Sequence, residues 1–554
     1  MSSKSKRFLF WLITLLIPVF ILAVVEFGFR ISGYNSEGRE LFVEFPVNED
    51  YLIANPNYVT RYFPSFEPQI APNPFRKEKT DSTFRVFVFG GSSTQGFPYN
   101  FYYSFAAQLE QEILATTKGM HVEVINLGMT AVNSYVINDL AKHVENLNPD
   151  VIIIYAGHNE YYGSFGVGST QNNIGTSIRT KRLILWLKDF LVYQFIEDLL
   201  APKEQYTAVQ RTLMARVVSE SNIKKDSDIF NEGIIQFEAN IGSVISRFQK
   251  RNIPVFIGTV ASNLKDQSPL SSYWDAMNAY ELGFQFLAVG DTTRARTEFI
   301  NAKEYDTIRF RAPDAINQKI REYADQEGVF LVDIEKILND MSITGIADNS
   351  LFIDHLHPTE IGHRLMAYSF FGSLVDQGLI SKELPTTRVS SPLEISDFEY
   401  AFSISPIERL LNGYPFVKGL NAEEELEAFW VSYDSIIETS FADSLGASTW
   451  FNSDLVALGL QRAIDYEKSK GDSLSVAQLS YELFHWLSFN EDLLKQTVGY
   501  QSTNRSLDEY TVSMILKGLN NGISDSYFMN KLADIYSENG DNQQAEYWKS
   551  KADN

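Results

Sequence analysis

From Phe84 onward the chain alternates short, almost wholly apolar segments with longer amphipathic ones, and this limits the available folds more than any other feature. The apolar segments are Phe84–Phe89, Val122–Asn126, Val151–Ala156, Ile253–Val260 and Val329–Asp333. A strand that is apolar at successive positions buries both faces, and helices on either side are what covers them. The pattern therefore predicts a five-stranded parallel sheet in a three-layer αβα domain over residues 81–385. In such sheets ligands collect outside the carboxyl ends of the strands. The residues that follow each strand are where chemistry is to be sought.

After the first segment comes Gly90-Gly91-Ser92-Ser93-Thr94-Gln95-Gly96. Three readings compete for it: an ordinary turn with a Ser N-cap, a phosphate-binding loop, and a presented nucleophile. No Gly-Lys-Ser/Thr follows, which weakens the phosphate reading. After the second and third segments stand Asn126-Leu127-Gly128-Met129 and Gly157-His158-Asn159-Glu160, each on its own compatible with simple turn chemistry. Further on is Asp354-His355-Leu356-His357-Pro358. An Asp three residues before a His on a tight loop can hold one ring nitrogen and leave the other free as a base. The chain has no cysteine, which excludes thiolate nucleophiles and disulfides and leaves oxygen or nitrogen as the attacking atom. Asp354, His355, His357 and His363 could be imagined as zinc ligands, but a metal would consume the proposed base, and the spacing supplies no defined ligand set. No metal or other cofactor is expected. His363 reads instead as a polar residue on the helix that opens after Pro358.

Taken together, the four blocks resemble those of the SGNH (GDSL-type) hydrolases, in family order and each following a predicted strand. The resemblance implies a nucleophilic Ser92, an oxyanion hole formed by the amides of Ser92 and Gly128 with the Asn159 side chain, and a base His357 oriented by Asp354. Two positions depart from the usual pattern: Gly91 and Glu160 stand where the family often has Asp. The implied chemistry is acyl transfer, in which Ser92 attacks an ester carbonyl, His357 carries the proton and water resolves the acyl-enzyme.

The N-terminus carries Lys4, Lys6 and Arg7 before an apolar run from Phe8 to Val25. Eighteen residues at helical rise make ~27 Å, enough to cross a bilayer core. The run ends Ala23-Val24-Val25-Glu26 without a small-x-small cleavage site, which favours an uncleaved anchor (residues 1–30) over a signal peptide. Positive charge before the span places the N-terminus in the cytoplasm and the rest outside. Residues 31–80, with Pro46, Pro56, Pro64, Pro68, Pro72 and Pro74, read as an extended linker to the first domain. With 47 Lys+Arg against 70 Asp+Glu, the formal charge of −23 repels phosphate backbones, so nucleic acid is not an expected partner.

Between the third and fourth strands a helical insertion is predicted over residues 164–250. Its segment Leu183–Leu200, with Trp186, Phe190, Tyr193 and Phe195, reads as an amphipathic helix packing on the core, with a lid or a membrane-surface helix as the alternatives. Arg309 and Arg311 alternate on one face, either as surface charge or as an anchor for a carboxylate or phosphate of the substrate. Small residues in 274–305 (Gly283, Gly290, Ala295, Ala302) have tetratricopeptide spacing, repeated near the C-terminus at Ala533, Gly540, Ala545 and Ala552. Residues 390–554 read as an all-helical, tetratricopeptide-like domain with stretches Glu423–Thr439, Leu455–Lys470, Leu474–Leu487, Leu507–Leu519 and Tyr527–Ala552.

The function expected from these features is that of a membrane-anchored, outward-facing serine esterase of the cell envelope acting on a carbohydrate O-acetyl group or a lipid. Two alternatives share its residues: an O-acyltransferase in which a glycan hydroxyl replaces water, and a scaffold that binds protein partners through its helical repeats without turnover.

Overall fold

The structure is a computed structural model and describes residues 3–35, 38, 40–63, 69–117, 119–169, 177–200, 222–380, 395–404, 441–450, 456–501 and 508–553. Eight strands are described: β1 (Phe42–Phe45), β2 (Asn48–Ala54), β3 (Phe75–Arg76), β4 (Thr83–Gly90), β5 (His121–Asn126), β6 (Val151–Tyr155), β7 (Val255–Gly258) and β8 (Val329–Val332). The last five form one parallel sheet in the order β5-β4-β6-β7-β8. All eight residues of β4 are buried, which explains why its sequence lacks polar alternation. Helices Phe105–Thr116 and Glu360–Asp376 pack together on one face, and Ser134–Val144, Asp228–Gln249 and Asp314–Tyr323 on the other. The predicted three-layer domain is therefore what the chain forms.

The sheet order decides where a site can lie. From β4 the chain moves to one side to make β5, then crosses back over β4 to make β6, so its direction reverses beside the carboxyl end of β4. Register places Gly90 of β4 opposite Tyr155 of β6 and Val88 opposite Asn126 of β5, so the loops after all three strands open at one edge.

The described part of residues 31–80 is not an extended linker. β1, β2 and β3 make a small antiparallel sheet, and Phe42 and Phe75 lie against Phe87 of β4 at ring distances of 6.0 and 5.7 Å. Before and between the prolines stand Leu41, Tyr51, Tyr58, Tyr62 and Phe63, all buried, whose apolar area is what docks the segment. The buried Arg85–Glu123 pair secures it: Glu123 also accepts from the Arg76 N–H at 2.8 Å, and Arg85 donates to the Arg76 carbonyl at 2.6 Å.

The predicted insertion 164–250 also needs revision at its end, because Asp228–Gln249 is the helix that carries the chain from β6 to β7. Leu183–Leu200 is two helices, Ile178–Leu187 and Leu191–Leu200. Residues 274–305 form a hairpin of Trp274–Ala288 and Thr292–Tyr305. A Cβ at Gly283 would stand 2.8 Å from the Phe299 ring, so the small residue is what lets the two helices approach.

The described part of residues 390–554 is helical, with helices over Val456–Lys470, Ser473–Trp486, Glu491–Gln501, Asp508–Asn520, Ser526–Glu538 and Asn542–Ala552. The stretch expected at Glu423–Thr439 lies outside the described residues. From Ser473 on, these helices share the core of the α/β domain: Ala477, Tyr481, Phe484 and Ile515 belong to the same apolar cluster as β4, while Val456, Leu460, Ala463 and Ile464 pack in a separate cluster with Phe398. Lys517 pairs with Glu110 at 2.5 Å. Asn520 donates to the Val122 carbonyl and accepts from its N–H, both at 2.8 Å, so a side-chain amide closes the exposed edge of β5. The N-terminal helix runs from Ser3 to Ser32. Its stretch Phe10–Ser32, of mean hydropathy 2.5 and unburied, is long and apolar enough to cross a membrane.

Candidate active site

The turn after β4 begins a short helix, Ser92–Gln95, and places Ser92 at its first position. Ser92 Oγ lies 2.7 Å from His357 Nε2, and His357 Nδ1 lies 2.6 Å from Asp354 Oδ2. Residues 265 positions apart in sequence thus form one hydrogen-bonded chain. All three are buried.

The loop carrying Asp354 and His357 is built around the carboxylate. Asp354 Oδ1 accepts the backbone N–H groups of Leu356 at 2.9 Å and His357 at 2.8 Å, which leaves Oδ2 to face the imidazole. Burial alone would raise this carboxyl. The His357 and His355 imidazoles, by charge and hydrogen bonding, instead hold it well below the usual carboxylate range. Ser93 Oγ donates to the Leu356 carbonyl at 3.1 Å and ties the Ser92 turn to this loop, while Phe97 covers the His357 ring at 4.7 Å.

Asn159 also comes to this place. Its Nδ2 donates to the Val132 carbonyl at 3.1 Å, and a side-chain amide has a second hydrogen to offer. A Cβ at position 91 would stand 2.7 Å from that nitrogen, so Gly91, one of the two departures from the family pattern, leaves room for Asn159. Glu160, the other departure, is fully buried and accepts from the Ser134 N–H at 3.1 Å and its Oγ at 2.7 Å, at the start of helix Ser134–Val144. Burial pushes its pKa up to about 7 against the lowering effect of those bonds. The longer carboxylate thus braces the loop between β5 and its helix.

Gly128 differs from expectation. Its N–H donates to Asn126 Oδ1 at 2.9 Å, so it is already spent. Asn126 in turn donates to the Thr94 carbonyl at 2.7 Å, and the glycine is needed for close approach, since a Cβ there would meet Gln95 N at 2.4 Å. Sequence reasoning passed over Ala131, three residues on, which is buried and held left-handed at φ 59. An L-residue there costs roughly 1–2 kcal/mol, and such outliers gather at functional loops. Its one available signal was position, in the loop between the Asn126 and Asn133 side chains.

Arg309 and Arg311 are not surface charges. Both are buried and donate to carbonyls, Arg309 to Ile223 at 2.9 Å and Glu304 at 2.8 Å, Arg311 to Asn263 at 3.1 Å and Gln267 at 3.2 Å. They brace the loop whose Ala312 N–H donates to His158 Nδ1 at 3.2 Å, while His158 Nε2 donates to the Ala261 carbonyl at 3.1 Å. Burial, with His355, His357 and Lys303 adding to it, pushes the His158 pKa down to about 3, so the ring is neutral. The imagined metal set does not assemble around His357, whose two nitrogens are taken up by Ser92 and Asp354.

Residues 88–365, half of the chain, match the family model described as the GDSL-like Lipase/Acylhydrolase family. Comparison with curated proteins gives no match. Among solved structures the chain is similar to a putative lipolytic protein of the G-D-S-L family from Desulfitobacterium hafniense, at 14% identity over 53% of this chain and 100% of that one, TM-score 0.27. It is also similar to a lipase/acylhydrolase from Enterococcus faecalis, at 13% over 54% and 98%, TM-score 0.29. A catalytic mutant of an acetylxylan esterase from Geobacillus stearothermophilus aligns at 13% over 54% and 96%, TM-score 0.29. These scores are low, and the assignment rests on the family model: the chain belongs to the GDSL-like lipase/acylhydrolase family and is a hydrolase of ester bonds.

Proposed function

We propose that the chain is a membrane-anchored, outward-facing serine esterase in which Ser92 is the nucleophile, His357 the base and Asp354 the group that orients and stabilises it. The observation that carries this reading is the unbroken chain Ser92–His357–Asp354, with bonds of 2.7 and 2.6 Å. Ser92 Oγ bonds to the ester carbonyl carbon as its proton passes to His357 Nε2. The tetrahedral oxyanion collapses, the carbon–oxygen bond to the alcohol breaks, and the alcohol takes the proton from His357. Water then repeats the sequence on the acyl-enzyme and releases the acid.

The oxyanion donors in this reading are the Ser92 N–H, the second Asn159 amide hydrogen and the Ala131 N–H, in place of the Gly128 N–H that Asn126 occupies. Donors aimed at the developing charge are commonly the largest single contribution to acyl transfer. The substrate class is a carbohydrate O-acetyl group or a lipid ester. Lys4, Lys6 and Arg7 before the span support the outward orientation.

The deciding experiment is reaction of the full chain with a fluorophosphonate probe. Labelling is expected for the wild type and lost in Ser92→Ala; labelling that survives in Ser92→Ala removes the nucleophile from this reading. Free acid as product, against acyl groups on a glycan, separates hydrolysis from transfer. Protease added to spheroplasts should digest the chain after the anchor, and full protection would refute the orientation.

A further inference from the structure

Helix Ile178–Leu187 carries apolar residues on two opposite faces. One face is docked on the α/β domain: Ile184 and Leu185 are buried, Lys181 donates to the Phe165 carbonyl at 2.7 Å, and Arg61 donates to the Leu185 carbonyl at 2.9 Å. The other presents Leu183 and Trp186, 52% and 49% exposed, with the Phe190 ring beside Trp186. A surface helix ordinarily shows water a polar face, so this second apolar face calls for an occupant.

The next helix shows which one. Leu191–Leu200 lies along the end of the N-terminal helix and runs in the same direction: Val192 N–H donates to Glu26 at 3.0 Å, the Phe195 ring meets Phe29 at 5.2 Å, and Tyr34 donates to Asp198 at 2.7 Å. Asn35 adds a bond to Gln194 at 2.7 Å. Glu26 is the first charged residue after Arg7 and ends the apolar run Phe8–Val25, whose ~27 Å length matches a bilayer core. Glu26 therefore marks the level at which the anchor leaves the lipid. Because the two helices are parallel, the start of Leu191–Leu200 is held at that level, and Phe190 and Trp186, ring to ring at 4.8 Å, come just before it.

We propose that Leu183 and Trp186 rest in the lipid–water interface of the leaflet from which the anchor emerges, so that helix Ile178–Leu187 holds the hydrolase domain against the bilayer. Tryptophan suits that zone because its ring is apolar and its N–H seeks a polar partner. With a net charge of −23 on the chain, adhesion comes from apolar insertion beside the anchor and needs no anionic lipid. The consequence for function is that the domain works at a fixed height above the membrane. The inference rests on the membrane-anchor reading of the N-terminal helix.

The absence of cysteine makes the test direct. Single variants Phe20→Cys, Leu183→Cys, Trp186→Cys and Ile343→Cys of the full chain are spin-labelled in phosphatidylcholine vesicles, and collisions with oxygen are compared with those with a water-soluble nickel chelate. Oxygen should dominate at 20, 183 and 186, and the chelate at Ile343, which is 98% exposed. If 183 and 186 behave as 343 does while 20 stays in lipid, the proposal falls and the anchor stands. If 20 is also in water, the anchor reading falls and takes the proposal with it. Shielding from both reagents at 183 overturns it as well, with spin–spin broadening assigning the face to a second copy and its absence assigning it to another segment of this chain.

Discussion

Replacing Asp354 by Asn tests the site at the point where its geometry is most determinate. The two backbone N–H groups of Leu356 and His357 both donate to Oδ1, at 2.9 and 2.8 Å, so an asparagine must keep its carbonyl oxygen there. Its NH2 then takes the place of Oδ2, 2.6 Å from His357 Nδ1, and donates to it, so Nδ1 can only accept. The proton moves to Nε2, which faces Ser92 Oγ as a donor and no longer as a base. Flipping the amide would restore the tautomer but would set NH2 against two backbone N–H groups, each buried mismatch costing about 1–3 kcal/mol. A total of about 2–6 kcal/mol leaves the competent form at or below a few per cent. Together with the lost stabilisation of the imidazolium, kcat should fall by about 10⁴. Turnover of a p-nitrophenyl ester in wild type and Asp354→Asn is the assay, with circular dichroism as the control for folding. A folded variant within tenfold of the wild type would refute the reasoning, because it would mean that the carboxylate does not set the tautomer.

Asn159→Ala should keep fluorophosphonate labelling and lose turnover by about 10²–10³, the usual effect of one missing oxyanion donor. Gly128→Ala should lower stability as well as turnover, because the new Cβ meets Gln95 N at 2.4 Å; a melting temperature equal to the wild type's would contradict that contact. Glu160 holds its proton to about pH 7 in the folded chain against an ordinary value near 4.5, so the native state binds more protons across that window and stability falls as pH rises through it. Glu160→Gln should abolish that component, seen as a smaller drop in melting temperature between pH 5 and pH 8. Arg309→Met should lower the melting temperature and leave KM unchanged in molecules that remain folded, since its Nε and Nη1 brace the Ile223 and Glu304 carbonyls; a rise in KM alone would restore it to the substrate.

The parts of the site legible in the sequence are those where a short stretch dictates its own geometry. Asp354 and His357 are three residues apart on one loop, and Ser92 follows a strand whose apolar run leaves little choice of where the chain turns. Gly128 misled because glycine in a loop signals close approach as readily as an available N–H, and here it was the approach to Gln95 that required it. Ala131 left no comparable mark, since a left-handed backbone at an L-residue is imposed by surroundings that local sequence does not contain. Arg309 and Arg311 looked exposed because charge in a polar stretch ordinarily is; the carbonyls that bury them come from residues 223, 263, 267 and 304.

The sequence by itself determined the parallel sheet, its five strands and the order of the four motif loops, because double-sided burial and strand-to-helix turns are written in adjacent residues. It also determined an N-terminal helix apolar enough for a membrane, since length and hydropathy are local sums. Only the tertiary structure decided that the described part of residues 31–80 is docked by its aromatic side chains, that the C-terminal helices from Ser473 on share the core of the α/β domain, and that a glutamate braces the loop after β5. Each of these depends on contacts between segments tens to hundreds of residues apart, such as Phe42 with Phe87, Glu110 with Lys517, and Ser134 with Glu160. Neither partner's neighbours in the chain encode such a meeting; it follows from the sheet order, which brings the segments together once the fold exists.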